Sequence, residues 1–276
     1  MRNNQRRTGT PTPPPSSPPP PAATMSYVVP TEFVELPSRG AFYPEGHPLH
    51  NQKTVEIKFM TAKDEDILAS TALIKNGLVI DRLLENLLVP EVDPLTLLIG
   101  DKNALMVAAR ISAYGADYGL NIRCPLCVAE NKIDYDLRSV SYLEECFDEA
   151  LLTDNSVVLN TAWPCYELGL PVAKTQVGFK LFTSEDEKRL AAKQDEQTAH
   201  VTSMLAAVIC HVDGNDDQEV IDQFVAAMPA ADSRLLRKLY PKLVPNVELK
   251  FDFKCEACHL EKTMEVPLTA EFFWPE

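Results

Sequence analysis

Val55, Ile57 and Phe59 alternate with Glu56 and Lys58, the period-two pattern of a half-buried strand. Thr61 follows, with Asp64 three residues on, a capping-box variant that opens a helix predicted to run to about Lys75 and stop at Asn76-Gly77. A second helix is predicted from about Ile80 to Leu88, ending before Pro90. Gly100-Asp101 opens a third, with Asp101 as the expected N-cap. Leu105, Ala108, Ala109 and Ser112 form its packed face, and Gly115 marks its end. Strands through Leu120 and Ile122 and over Ile133–Leu137 then bracket the pair Cys124 and Cys127.

The same order of elements recurs. Val177-Gly-Phe-Lys-Leu-Phe-Thr183-Ser-Glu-Asp186 repeats the alternating strand, the Thr cap and the acidic first turn. Helices are predicted at about 185–210, 216–227 and 231–240. Val247–Phe253 then leads into Cys255 and Cys258, and Thr263–Val266 leaves them. The expected fold is α+β, mostly helical, with short antiparallel strands around two CxxC knuckles. It reads as two similar halves, residues 31–150 and 151–276. The turn-rich segment Glu35–Pro44, broken at Gly40, reads as an ordered loop laid over the core.

Residues 1–30 have a different character. They hold nine of the 22 prolines, three arginines (Arg2, Arg6 and Arg7) and no acid. Such a leader has little to bury and is expected to be disordered, with a bias to extended polyproline II. It contains no apolar stretch of the kind a secretory signal needs. From Thr31 onward, 23 cations face 40 acids, a net charge of −17. That charge repels phosphate and disfavours general binding to nucleic acid or an anionic membrane. No apolar run approaches the roughly 20 residues needed to cross a bilayer.

The seven cysteines fall into two classes. Cys146, Cys165 and Cys210 are solitary among apolar residues, where a free thiol behaves as a small hydrophobe. Cys124-Pro-Leu-Cys127 and Cys255-Glu-Ala-Cys258 are paired. An odd count without a secretory signal points to a reducing cytoplasm, where CxxC pairs serve metal or redox chemistry rather than a disulfide framework. Two such pairs between short strands supply four thiolates, the closed tetrahedral set of a structural zinc site. One zinc per chain is therefore expected, with plain reduced thiols, or an iron or iron–sulfur centre, as the alternatives. The 127 residues between Cys127 and Cys255 make the metal a link between the halves, or between two chains. His259, next to Cys258, reads as an exposed neighbour, with ligation as the lesser alternative.

No catalytic constellation is legible. The P-loop, GxGxxG, HExxH and GxSxG patterns are absent, and the five histidines are scattered. The acidic runs at Asp64–Asp66 and Glu185–Glu187 read as first turns that complement helix dipoles. Arg110, on an otherwise apolar helix, either meets a buried carboxylate or partner or reaches back to the surface.

Several segments taken together resemble a known family. They are Leu36-Pro-Ser-Arg-Gly40 with Phe42-Tyr43, Thr61 with Asp64-Glu65 and Ile67-Leu68, and Gly100-Asp101 with Ala104-Leu105, Arg110-Ile111-Ser112 and Tyr114-Gly115. Cys124-Pro and Cys127 with Asp136-Leu137 belong to the same pattern, as does Phe253 through Cys255, Cys258 and Phe272-Phe273-Trp274-Pro275. The pattern resembles the baseplate hub proteins of T-even-type contractile-tailed bacteriophages; the proline-rich leader lies outside it. The resemblance implies a non-enzymatic role in the tail baseplate, as a hub component or a hub assembly factor. It implies other tail and hub proteins as partners, and a place in the host-cell cytoplasm during assembly or in the virion tail.

The residues expected to bind metal are Cys124, Cys127, Cys255 and Cys258. The candidate partner contacts are Arg39, Phe42, Tyr43, Phe272, Phe273 and Trp274, although the C-terminal aromatics fit equally well packed back on their own domain. The same cysteine pairs admit two alternatives. A zinc-ribbon module acting on nucleic acid would use Arg123, Lys132, Lys250, Lys254 and Lys262. A CxxC thiol oxidoreductase would need a cysteine pair at a helix start.

Overall fold

A computed structural model of the chain describes residues 28–143, 147–160, 164–194, 200–266, 268 and 270–273. Cys146, Trp274 and nearly all of the proline-rich leader lie outside the described residues. The fold is α+β, as expected, with nine α-helices and short antiparallel strands among the described residues.

The alternating apolar residues of β2 (Thr54–Lys58) pair antiparallel with β1 (Thr31–Glu35), placing Val55 opposite Val34. The segment between them is the ordered loop expected from its prolines. Leu36 N donates to Lys53 O at 2.8 Å, and Asn51 N donates to Gly40 O at 2.9 Å. Gly40 has φ 71°, and a Cβ there would sit 2.4 Å from Gln52 N and Leu49 O, so only glycine fits.

The single helix expected after Thr61 is two, α1 (Ala62–Leu68) and α2 (Thr71–Lys75). Ser70 takes extended geometry between them as the N-cap of the second. Asp64 does close the cap, accepting from Thr61 N at 2.8 Å and from its hydroxyl at 2.7 Å. After α3 (Val79–Leu87), α4 (Ile99–Tyr114) begins before Asp101, with Leu98 as its N-cap, and Gly115 ends it at φ 85°. Asp101 is therefore not the cap. Its buried carboxylate accepts from Ser38 N, Ser38 Oγ and Tyr43 Oη at 2.9, 2.6 and 2.8 Å, fastening the 35–52 loop to the helix.

Strands β3 (Asp117–Arg123) and β4 (Glu130–Asp136) form the first cysteine hairpin. Short β5 (Ser141–Leu143) and α5 (Glu149–Asp154) lead into a four-stranded antiparallel sheet. Its strands are β6 (Val157–Asn160), β7 (Cys165–Gly169), β8 (Gln176–Phe179) and β9 (Ile209–Val212), hydrogen-bonded in that order. Helices α6 (Ser184–Gln194) and α7 (His200–Val208) lie between β8 and β9 in sequence. The helix expected to reach residue 210 thus ends at Val208, because Ile209–Val212 pairs with β8. Then come α8 (Gln218–Ala227), α9 (Ala230–Leu243), β10 (Asn246–Glu248), and the second cysteine hairpin of β11 (Lys250–Lys254) and β12 (Glu261–Glu265).

The halves interlock. β10 pairs with β5, so a strand near the end of the chain joins one from before residue 150. Ser184 N donates to Leu97 O at 2.9 Å and Ile99 N to Phe182 O at 3.1 Å, which sets the starts of α4 and α6 side by side. One continuous apolar core runs from Val34 to Phe273. The second cap copies the first: Asp186 accepts from Thr183 N at 3.2 Å and from its hydroxyl at 3.1 Å.

Candidate metal centre

Both cysteine pairs sit at the tips of two-stranded antiparallel hairpins, and the two tips have the same geometry. Cys124 N donates to Ala129 O at 2.9 Å, and Val128 N returns to Cys124 O at 2.9 Å. In the second hairpin Cys255 N donates to Leu260 O at 2.9 Å, and His259 N to Cys255 O at 3.0 Å. Val128 and His259 occupy the same left-handed position, at φ 61° and 57°. The cation just before each first cysteine pairs across its hairpin, Arg123 with Glu130 at 3.2 Å and Lys254 with Glu261 at 2.7 Å.

The two tips meet. The sulfurs of Cys124 and Cys258 are 3.6 Å apart, as are those of Cys127 and Cys255, and all four lie within 4.8 Å of one another. A tetrahedral ion with sulfur at about 2.3 Å places its ligands about 3.8 Å apart, so the four sulfurs fit one metal ion. Four thiolates fill such a shell and leave no open position for a substrate. Cys124 and Cys255 are buried, Cys258 is half-buried and Cys127 is exposed. His259 is exposed and is not among the four donors.

Two of the four donors, Cys124 and Cys255, are prepared to carry charge, whereas Cys127 and Cys258 are pushed the other way. At Cys255 the Cys258 N–H aimed at the sulfur is the largest influence; burial opposes it, Ala257 N–H and neighbouring sulfurs assist, and the thiol falls to about 6. At Cys124 burial pushes upward, but the N–H groups of Cys127 and Leu126 outweigh it and bring the thiol below its ordinary value. At Cys258 the Leu260 N–H pulls down and burial pushes up, and the three neighbouring sulfurs carry it to about 12. Four sulfurs competing for few protons, two of them cradled by backbone donors, suit a divalent cation.

Asn131 joins the tips independently of any metal. It lies buried on β4 of the first hairpin. Its Oδ1 accepts from Glu256 N of the second hairpin at 2.9 Å, and its Nδ2 donates to Ala129 O at 2.9 Å and lies 3.8 Å from Cys255 Sγ. Spacing alone does not mark this residue, because its partner is 125 positions away.

Arg39 is exposed on the loop, with its guanidinium 4.6 Å from the Phe147 ring centroid. Phe42 and Tyr43 are buried in the chain's own core; Phe42 packs 5.1 Å from Tyr166, and Tyr43 bonds Asp101. Phe272 and Phe273 are fully buried, Phe272 edge-on to Tyr118 at 5.0 Å. Trp274 lies outside the described residues. Among the described residues Arg110 meets no carboxylate, and it does not reach solvent. It is buried, donating through Nε to Phe272 O at 3.1 Å and through a terminal nitrogen to Gly115 O at 3.0 Å, beside the rings of Tyr114 and Tyr118.

A second donor group is invisible in the sequence spacing. Cys165, Cys210 and His211 come together in the four-stranded sheet. A shared hydrogen bond pushes the Cys165 thiol up and draws the Cys210 thiol down.

The profile of the family described as T4 bacteriophage base plate protein matches residues 32–274, and the chain belongs to that family. No curated protein and no solved structure matches the chain. The family places the protein in the phage baseplate, with other phage tail proteins as its partners. None of the described helices is long and apolar enough to cross a membrane.

Proposed function

We propose that this chain helps build the hub of a contractile-tail baseplate, as a hub component or as a factor that assembles hub proteins in the host cytoplasm. It acts through protein–protein contacts and without catalysis. The observation that carries this reading is the family match across residues 32–274. The closed set of four sulfurs supports a structural rather than a catalytic centre.

Zinc is the ion we assign to Cys124, Cys127, Cys255 and Cys258, one per chain at this site. Bound there, it contributes cross-linking rather than reactivity. Structural zinc in small fingers has an apparent binding free energy of roughly 10–16 kcal/mol. That is comparable to the whole stability of an ordinary domain, about 5–15 kcal/mol. Closing so long a loop adds little further penalty, because loop entropy grows only logarithmically. The matched hairpins and caps support an origin of the two halves as copies of one unit. Exposed Arg39 on the 35–52 loop is the contact residue favoured by its accessibility.

The nucleic-acid reading fits less well. Arg123, Lys250 and Lys254 are engaged by Glu130, Glu248 and Glu261. The oxidoreductase reading needs a cysteine pair opening a helix, whereas both pairs occupy hairpin turns.

The test is a phage that does not make this protein. Infected cells are expected to accumulate tail proteins without complete baseplates, and supplying the wild-type chain is expected to restore them. Complete, infectious tails in its absence would overturn the reading.

A further inference from the structure

We infer a second metal site, formed by Cys165 Sγ, Cys210 Sγ and one ring nitrogen of His211, that takes a borderline-soft divalent transition ion of the zinc class. The three donor atoms all lie within 4.8 Å of one another. Two thiolates and an imidazole make a three-ligand set of the sulfur–nitrogen type that zinc accepts, with the fourth position left to water or another oxygen donor.

The sheet is shaped around this group. Tyr166 and Leu168 of β7 pair with Phe179 and Val177 of β8, and these four side chains belong to the main core. By strand alternation, Cys165 and Glu167 project from the opposite face. On β9, Phe179 pairs with Ile209 and Gly178 with His211, so Cys210 is the extra residue of a β-bulge. A bulge turns two successive residues toward the same side, which brings Cys210 and His211 onto the face of Cys165.

Gly178 completes the arrangement. A Cβ there would lie 2.1 Å from His211 Nε2, so the imidazole rests directly over the missing side chain and crosses β8 toward β7. At its far edge Nε2 faces Glu167 Oε1 at 3.7 Å. Glu167 is itself held by Asn160 Nδ2 at 2.7 Å and Gln176 Nε2 at 3.0 Å. A fixed carboxylate beside a ligating imidazole orients the ring and adds negative charge near a cation. Cys165 and His211 are buried, whereas Cys210 is partly accessible and gives an ion a route in.

This site shares no residue with the four-cysteine centre, so the two stand or fall separately. The test is metal content per full-length chain, purified under reducing conditions with zinc supplied. Wild-type protein is expected to hold two zinc ions, and Cys210→Ser and His211→Gln are expected to hold one. X-ray absorption on the wild type needs no variant. Two sites give a nitrogen shell at about 2.0 Å beside sulfur at about 2.3 Å, whereas the four-cysteine site alone gives sulfur only. One ion per wild-type chain, an all-sulfur shell and unchanged content in Cys210→Ser would overturn the second site and leave the first intact. One ion lost in Cys210→Ser but kept in Cys124→Ser would support the second site and remove the first. No ion in folded wild-type protein would overturn both.

Discussion

Asn131 Oδ1 accepts the Glu256 N–H at 2.9 Å, a bond between two hairpins that the chain reaches 125 residues apart. The same side chain directs its amide at Cys255 Sγ, 3.8 Å away. The tips are therefore aligned by protein contacts as well as by their sulfurs.

Asn131→Ala removes the acceptor for Glu256 N and loosens the contact between the two tips. The expected cost is about 0.5–1.5 kcal/mol of stability, the net worth of a typical hydrogen bond, because Glu256 lies at the surface where water can replace the acceptor. Urea unfolding of the metal-loaded protein measures it. Zinc affinity, read by competition with a chelating dye, is expected to fall as well.

Gly100 lets α4 pack against the strand that follows α9. A Cβ at this position would sit 1.9 Å from Pro245 O and 2.9 Å from Pro245 C. The neighbouring bond from Asn103 Nδ2 to Asn246 Oδ1, 3.1 Å long, locks the same contact. Gly100→Ala is expected to destabilise the protein by about 1–3 kcal/mol despite alanine's better helix propensity, because the backbones must separate. A thermal melt that shows stabilisation would refute the close approach.

Arg110 ties the C-terminal segment to α4 through Phe272 O. Arg110→Ala removes two bonds from a charged donor, an expected loss of about 1.5–3 kcal/mol per bond before relaxation. Faster proteolytic cleavage near Phe272 and Phe273 is the accompanying outcome. Limited proteolysis with mass detection reads it.

Asp101 gives a pH dependence with a definite sign. Burial raises its carboxyl above the ordinary value, and the bonds from Ser38 and Tyr43 offset this only in part. A carboxyl raised in the folded state favours folding while protonated. That contribution is present below the unfolded value and is lost as pH rises through the folded one. Stability of the wild type relative to Asp101→Asn is therefore expected to decline as pH rises through the folded-state value. Paired urea titrations across the acidic to neutral range test the difference, and a rising difference would contradict the burial argument.

The sequence pattern reveals local features well and long-range pairings poorly. Val55 and Ile57, the Thr61 cap, Gly115 and both CxxC turns are legible because each depends on neighbours within a few residues. Asp101 looks like a helix cap because its spacing is right, yet its carboxylate is taken by Ser38 and Tyr43 from another segment. Ile209 and Cys210 read as the end of a helix, and only pairing with β8 makes Ile209–Val212 a strand. Phe42, Tyr43, Phe272 and Phe273 look like anchors for a partner, but their rings fill this chain's own interior. The group of Cys165, Cys210 and His211 has no sequence signature at all, since a third strand lies between its two halves.

The central structural claim is that one ion ties the two hairpins together. Metal content by native mass spectrometry of the wild type, Cys124→Ser and Cys255→Ser tests it most directly. Each variant, though altered in a different half, is predicted to lose the same single equivalent relative to the wild type, with a comparable fall in stability. Full wild-type metal content in either variant, or loss from one and not the other, would contradict a shared site.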